Sequence, residues 1–383
     1  MAEKKILIVA GDPSGDLYAA NLVKELKNID PSINFFGLGG KCMQKEGVFL
    51  YSNIVELSLI GFWEVIKNFK KFKNIFNLLL ERVDQIKPQL AILVDYPGFN
   101  LRLAKELKKR AISIIYYISP QVWAWGASRI KKIKDSVDLM LVFFKFEEDL
   151  YKEHNIKAIF VGHPLLDIVK PSLNREEIIK KFSLPLTRYT FSLLPGSRLN
   201  EVRLNLPIMF KTAEILFKKI EDVKFLILKP ENLDEAIYYK IIPRYSLPIY
   251  ILSNNTYNGL SISDFALVAS GTATLETALL NIPMVIIYRM NFLNWLILRP
   301  LVKLPFIGMV NIVLGKKVVP EFIQYKAKPK IIADHIISII SDKDKMEQMK
   351  NSLFQIRRIL DKPNATQFSA QIISKFLNEI ISY

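Results

Sequence analysis

The amino-acid sequence predicts an α/β protein of two doubly wound domains. Three observations carry this prediction. Strand-like apolar runs alternate with helical patterns, the alternation breaks once near the middle and restarts, and 383 residues, half of them hydrophobic, suffice for two ordinary cores. Residues 4–10 (KKILIVA) form a β-branched run that stops at Gly11, and an apolar-periodic stretch follows over 17–26. Strand, tight loop and helix therefore succeed one another. Strand-like runs recur at 33–38, 90–94, 112–118, 139–143 and 158–161. Over 164–185 the pattern becomes a charged, proline-flanked helical connection, and strand candidates resume at 189–194, 223–228, 249–252, 265–269 and 284–288. Two sets of strands separated by helices imply crossover connections and parallel sheets. Residues 329–340 and 365–383 read as helices. In open sheets of this kind ligands bind beyond the carboxyl ends of the strands, so the loops that follow strands are where chemistry is sought.

Composition narrows the partners. Lysine and arginine exceed aspartate and glutamate by 53 to 37, a formal charge of +16. Such a charge attracts nucleic acid, an anionic lipid surface or an anionic small substrate, without choosing among them. No RNP, zinc or helix-turn-helix pattern supports nucleic acid. Cys42 is the sole cysteine, which excludes an intramolecular disulfide and fits a reducing compartment. The start, MAEKKILIVAG, lacks the apolar stretch of a signal peptide. No run reaches the roughly 18 apolar residues of a spanning helix, and the strongest candidate, 290–298, is closed off by Arg289 and Arg299. Two basic, amphipathic stretches, 60–83 and 290–314, read either as helices in a lipid headgroup layer or as core helices with solvated lysines.

Several loops after strands carry chemistry-bearing residues. Gly11-Asp12-Pro13-Ser14-Gly15-Asp16 joins the first strand to its helix. Its glycines admit a close ligand and its carboxylates suit sugar hydroxyls, while a plain capped turn is the structural alternative. Asp95 ends the apolar run 90–94, where a carboxylate can take a proton from an attacking hydroxyl or simply cap a helix. Trp123 and Trp125 in SPQVWAW offer faces for a sugar or base, or anchors for a core, and Arg129, Lys131, Lys132 and Lys134 follow.

In the second half, Pro195-Gly196-Ser197-Arg198 stands between a strand and a helix. Free N–H groups, the helix dipole and a guanidinium together suit a diphosphate. Ser270-Gly271-Thr272 is a second such turn, and Glu276 falls in the first turn of its helix, within reach of ribose hydroxyls or serving only the dipole. Two phosphate-type loops in one domain favour a nucleotide more than either loop alone. His154, His163 and His335 are scattered without metal-ligand spacing, and His163 is either a cleft residue or a structural one.

The blocks GDPSGD, GLGGKCMQKEG, LVDYPGFN, YYISPQVWAW, FVGHPLLD, LLPGSRLNEV, ASGTATLE and MVNIVLG, in this order and spacing, resemble the lipid-A-disaccharide synthase family from Gly11 to at least Gln324. One departure stands at Asp12, where the family usually has glutamate; the carboxylate is kept with a shorter reach. The resemblance implies a GT-B fold, two Rossmann-like doubly wound domains facing a cleft. Residues 1–165 would bind the acceptor, residues 166–364 the UDP-sugar, and the helix 365–383 would pack back on the first domain.

It further implies an inverting transfer of 2,3-diacylglucosamine from UDP to 2,3-diacylglucosamine 1-phosphate (lipid X), giving the β-1,6 lipid A disaccharide 1-phosphate and UDP. No metal or other cofactor and no nucleic acid is implied. The setting would be peripheral attachment to the cytoplasmic face of a Gram-negative inner membrane, and a homodimer is admitted. By position, Asp95 is the candidate base and Arg198 the diphosphate contact. Glu276 would bind ribose, with Gly196, Ser197, Ser270, Gly271, Thr272 and Asn311 lining the donor site. Asp12, Ser14, Gly15 and Asp16 fall on the acceptor side. Other readings are another GT-B enzyme using UDP-GlcNAc, an epimerase or a peptidoglycan glycosyltransferase, and a non-enzymatic basic membrane-binding module.

Overall fold

Strands buried on both faces need unbroken apolar runs, and the sequence supplies them. Ile6, Leu7, Ile8 and Val9 are fully buried, as are all five residues of Leu90–Val94. Each such valine, leucine or isoleucine side chain contributes ~1.5–3 kcal/mol relative to exposure. The structure, a computed structural model, describes residues 3–58, 69–125, 127–231, 233–241, 247–291, 295–296, 305–360, 362 and 364–382. It divides into two compact units, Met1–Asp167 with Leu360–Tyr383, and Ile168–Ile359.

Among the described residues the first unit holds a seven-stranded sheet: β1 (Lys4–Ala10), β2 (Ile33–Gly39), β3 (Phe49–Asn53), β4 (Leu90–Val94), β5 (Ser113–Tyr117), β6 (Leu139–Val142) and β7 (Ala158–Phe160). The order is β3-β2-β1-β4-β5-β6-β7 and every pairing is parallel. The chain leaves β1 to one side for β2 and β3, then returns to the other side for β4. That reversal creates a switch point between β1 and β4, where Ala10 is in register with Val94.

The second unit repeats the plan with β8 (Tyr189–Leu194), β9 (Val223–Lys229), β10 (Ile249–Ser253), β11 (Phe265–Ala269), β12 (Met284–Tyr288) and β13 (Glu321–Ile323). Its parallel order is β10-β9-β8-β11-β12-β13, so its switch point lies between β8 and β11, where Leu194 is in register with Val268. Both sheets thus have the Rossmann order.

Two strands escape the sequence reading. β3 is an edge strand of mixed polarity with no fully buried residue, and β13 spans three residues. The connection over 164–185 holds two short helices, Leu165–Ile168 and Arg175–Lys181. The helix Ala365–Ile381 packs against Pro13–Ile29 in the first unit. The chain joins that unit already at Leu360, ahead of the helix. Lys362 Nζ reaches the Phe160 carbonyl at 3.2 Å, and the Asn364 N–H donates to Asp167 Oδ1 at 2.9 Å.

Of the two amphipathic stretches, 60–68, 292–294 and 297–304 lie outside the described residues. Over Phe69–Ile86 the apolar stripe Ile75, Leu79 and Val83 is buried in the core, while Lys70, Lys71 and Lys73 are exposed. The described part is therefore a core helix with a lysine-rich outer turn. Among the described residues no helix is long and apolar enough to cross a membrane.

Candidate active site

The switch point of the first unit is built from the loops after β1 and β4. Asp12 caps the Pro13–Ile29 helix, its Oδ1 accepting from the Gly15 N–H at 2.6 Å, with Pro13 in the first helical turn. Ser14 is exposed. Asp16, expected on the acceptor side, turns its carboxylate to the backbone of the loop after β2. Its carboxylate belongs to a residue only 4% exposed. It accepts from the Gly40 and Met43 N–H groups through Oδ1 (2.8 and 3.2 Å) and from Cys42 through Oδ2 (2.9 Å). It satisfies the start of the Lys41–Lys45 helix, which has no side-chain cap at Gly40. Asp16 organises the loop after β2.

Asp95 sits directly after β4 and is half-buried. Its N–H extends the ladder to the Tyr117 carbonyl (3.0 Å), but its φ is +43° and that of Tyr96 is +48°. Two consecutive non-glycine residues in the left-handed region cost of order 1–3 kcal/mol each, so surrounding bonds must hold them. The Asp95 carbonyl accepts from the buried Tyr116 hydroxyl at 2.5 Å and from Asn100 Nδ2 at 2.8 Å. The same Nδ2 approaches the Val94 carbonyl at 3.1 Å and that of Val9 at 3.5 Å, joining the ends of β4 and β1. The Tyr96 ring fills the space where a Cβ at Gly11 would stand, so glycine is required there and the two loops are in contact.

The loops after β5 and β6 complete this end of the unit. Trp123 is half-buried. Its Nε1 donates to Glu147 Oε1 at 3.0 Å, and its ring meets Phe146 edge-on. The Trp125 side chain lies outside the described residues. Glu147 is 2% exposed and its carboxyl is pushed up to about 7 by burial, against hydrogen bonds from Trp123, the Phe144 N–H and Ser119. Nothing in the sequence singles it out, because an acid in a first helical turn reads as a complement to the dipole. His163 is structural: packed among Tyr18, Phe143 and Phe144, it is pushed down to about 3 by burial and stays neutral.

At the switch point of the second unit, Gly196 has φ +122° and a Cβ there would meet Glu201 Oε2 at 2.5 Å. Glu201 Oε2 accepts from the Ser197 and Arg198 N–H groups at 3.1 and 3.4 Å, and Oε1 lies 3.5 Å from Arg198 Nη1. The loop holds an anionic oxygen supplied by its own Leu199–Lys219 helix, and the Arg198 side chain remains 49% exposed. Asn205 clamps the loop, donating to the Pro195 carbonyl and accepting from the Arg289 N–H.

Beside it, the Ser270 hydroxyl donates to the Ile307 carbonyl at 2.9 Å. Gly271 has φ +151° and Thr272 stands at the N-cap position of the Ala273–Leu279 helix without a side-chain capping bond. Glu276 is half-buried, with Tyr257 Oη 3.5 Å from Oε1, and burial pushes its carboxyl up to about 7. Asn311, expected to line the donor site, has its amide bonded within the unit. Its Nδ2 donates to the Val319 carbonyl and Glu321 Oε1, while its Oδ1 accepts from the Val318 and Val319 N–H groups. All four hydrogen-bonding positions of the amide are used within the chain. Glu321 also accepts from the Ile307 and Gly308 N–H groups, which ties the segment beside Ser270 to β13. Among the described residues no cluster of three or more His, Cys, Asp or Glu could hold a metal ion.

Each unit therefore gathers its candidate residues at its own switch point. Solved structures share this architecture. An S. aureus MnaA–UDP complex superposes with a TM-score of 0.68 at 14% identity, covering 98% of this chain and 97% of that one. A UDP-GlcNAc 2-epimerase from Neisseria meningitidis bound to UDP-GlcNAc gives 0.65 at 13%, covering 97% and 100%. At such identities the likeness is one of fold. In sequence, the family profile described as lipid-A-disaccharide synthetase matches residues 6–376. The lipid-A-disaccharide synthase of Syntrophus aciditrophicus is 41% identical over 371 residues, 97% of each chain, and that of Coxiella burnetii 38% over 377 residues, 98% of this chain and all of that one. The epimerase reading is thereby left with the fold alone, and the chain belongs to the lipid-A-disaccharide synthase family, a family of UDP-sugar glycosyltransferases.

Proposed function

We propose that the enzyme forms the lipid A disaccharide by moving 2,3-diacylglucosamine from UDP to the 6-hydroxyl of 2,3-diacylglucosamine 1-phosphate, the first unit holding the acceptor and the second the nucleotide. Asp95 takes the hydroxyl proton as that oxygen attacks the anomeric carbon from the face opposite UDP. The bond from the anomeric carbon to the diphosphate oxygen breaks, its electron pair leaves with UDP, and an α-linked donor gives a β-linked product. Arg198 and the N–H groups of Ser197 and Arg198 meet the charge that builds on the leaving diphosphate. Their present bond to the Glu201 carboxylate supports this role, since it shows that the turn accepts an anionic oxygen. Glu276 takes the ribose, and Asp12 and Ser14 take acceptor hydroxyls.

The observation that carries the reading is the position of Asp95, at the carboxyl end of β4 beside Gly11, on a backbone that is strained and held. The test is product analysis. Purified enzyme incubated with both lipid precursors yields a disaccharide 1-phosphate and UDP by mass spectrometry, and no disaccharide forms when lipid X is replaced by an unacylated glucosamine phosphate. Product from the unacylated acceptor alone would refute the assignment.

The same reading puts the enzyme at the cytoplasmic face of the inner membrane. Its charge of +16 and the exposed Lys70, Lys71 and Lys73 support an electrostatic attachment to anionic lipid.

A further inference from the structure

We propose that Tyr116 and Asn100 are positioning residues for the base, clamping the Asp95 carbonyl so that the left-handed backbone aims the carboxylate at the acceptor hydroxyl. This rests on Asp95 being the base. A carbonyl at a strand end needs one donor; this one has two, both from fully buried side chains. The bonds fall on the first of two consecutive residues with positive φ, the place where the chain would otherwise relax to ordinary backbone. Glycine would adopt that conformation without strain, yet an aspartate and a tyrosine occupy it.

The clamp is anchored outside the loop it holds. Tyr116 belongs to β5, the strand paired with β4, and Asn100 Nδ2 also contacts the carbonyls of Val94 and Val9. The Tyr116 phenol is raised well above its usual range by burial and by the Asp95 charge, so it stays a donor at any working pH. Removing its hydroxyl leaves the ring packing intact but leaves the Asp95 carbonyl to Asn100 alone, so the peptide is held less firmly. A displacement of about 1 Å at a reacting group is enough to slow chemistry on the order of a hundredfold.

The test compares Tyr116→Phe, Asp95→Asn and the double variant in kcat, donor KM and UDP affinity, with folding followed by circular dichroism. Tyr116→Phe is expected to lower kcat by about ten- to a hundredfold with donor KM and UDP affinity unchanged. In the Asp95→Asn background the same change costs nothing further, because there is no base left to aim. If Tyr116→Phe turns over at the normal rate while Asp95→Asn collapses, or if the two losses multiply, the positioning role is refuted and the base assignment stands. Normal turnover by Asp95→Asn overturns both. Should the phenol prove essential for folding, Asn100→Ala takes its place with the same expected split.

Discussion

The two units share one strand order and one construction at the switch point, yet the side chains there have opposite character. In the first unit the loops after β1 and β4 present carboxylates, Asp12 and Asp95, on an aromatic background of Tyr96 and Trp123. In the second the loops after β8 and β11 present backbone N–H groups, hydroxyls and Arg198. The fold supplies the same two platforms; a handful of residues makes one suited to accepting a proton and the other to holding an anion. The units also differ in how each manages a carboxylate near a helix start. Asp16 is sealed into the Lys41–Lys45 helix, whereas Glu201 lies on a turn that remains exposed.

This contrast can be broken from either side. The largest effect is expected in the first unit: Asp95→Asn lowers kcat by roughly 10²–10⁴ without changing acceptor KM, measured by steady-state product formation. In the second unit Arg198→Ala weakens UDP binding and lowers kcat/KM by about 10²-fold, as loss of a charge-assisted contact to the leaving diphosphate predicts.

A smaller, pH-dependent difference sharpens the comparison. The Glu276 carboxyl is raised to about 7, so it is mostly protonated below that value and ionised above it. If the ribose contact uses the carboxylate, UDP affinity rises as pH increases through 7, and Glu276→Gln flattens that rise. Titration of UDP itself is common to both proteins and cancels in the comparison. The same shift makes the ionised acid a burden on the fold. Raised above its ordinary value of 4.5, the group contributes most when protonated, and that contribution declines as pH rises from 4.5 through about 7.

The smallest effect concerns lipid. Replacing Lys70, Lys71 and Lys73 with alanine reduces co-sedimentation with anionic vesicles, by about 1 kcal/mol per lysine at most, and leaves turnover of detergent-solubilised substrates intact. Salt should weaken the wild-type protein's binding more than the variant's.

Much of this arrangement is legible before folding, for physical reasons that differ by element. Fully buried parallel strands such as β4 and β11 announce themselves as unbroken apolar runs, whereas the half-exposed edge strand β3 and the three-residue β13 do not. Loops after strands reveal where Asp95 and Arg198 must stand, since strand ends fix position. What sequence does not reveal is how a side chain's bonding capacity is spent. Asp16 binds the backbone at Gly40, Cys42 and Met43, and Asn311 binds Val318, Val319 and Glu321, partners that only the folded chain brings near. Glu147 and Glu201 are hidden for the opposite reason: both look like ordinary acids in a first helical turn, and only burial or a nest of N–H groups sets them apart.

Calorimetric titration with UDP separates the two platforms most directly. Asp95→Asn should bind UDP as the wild-type protein does although it no longer makes disaccharide, while Arg198→Ala should lose most of its affinity. Full UDP affinity in Arg198→Ala, or a loss of affinity in Asp95→Asn as large as its loss of turnover, would contradict the division of labour between the units.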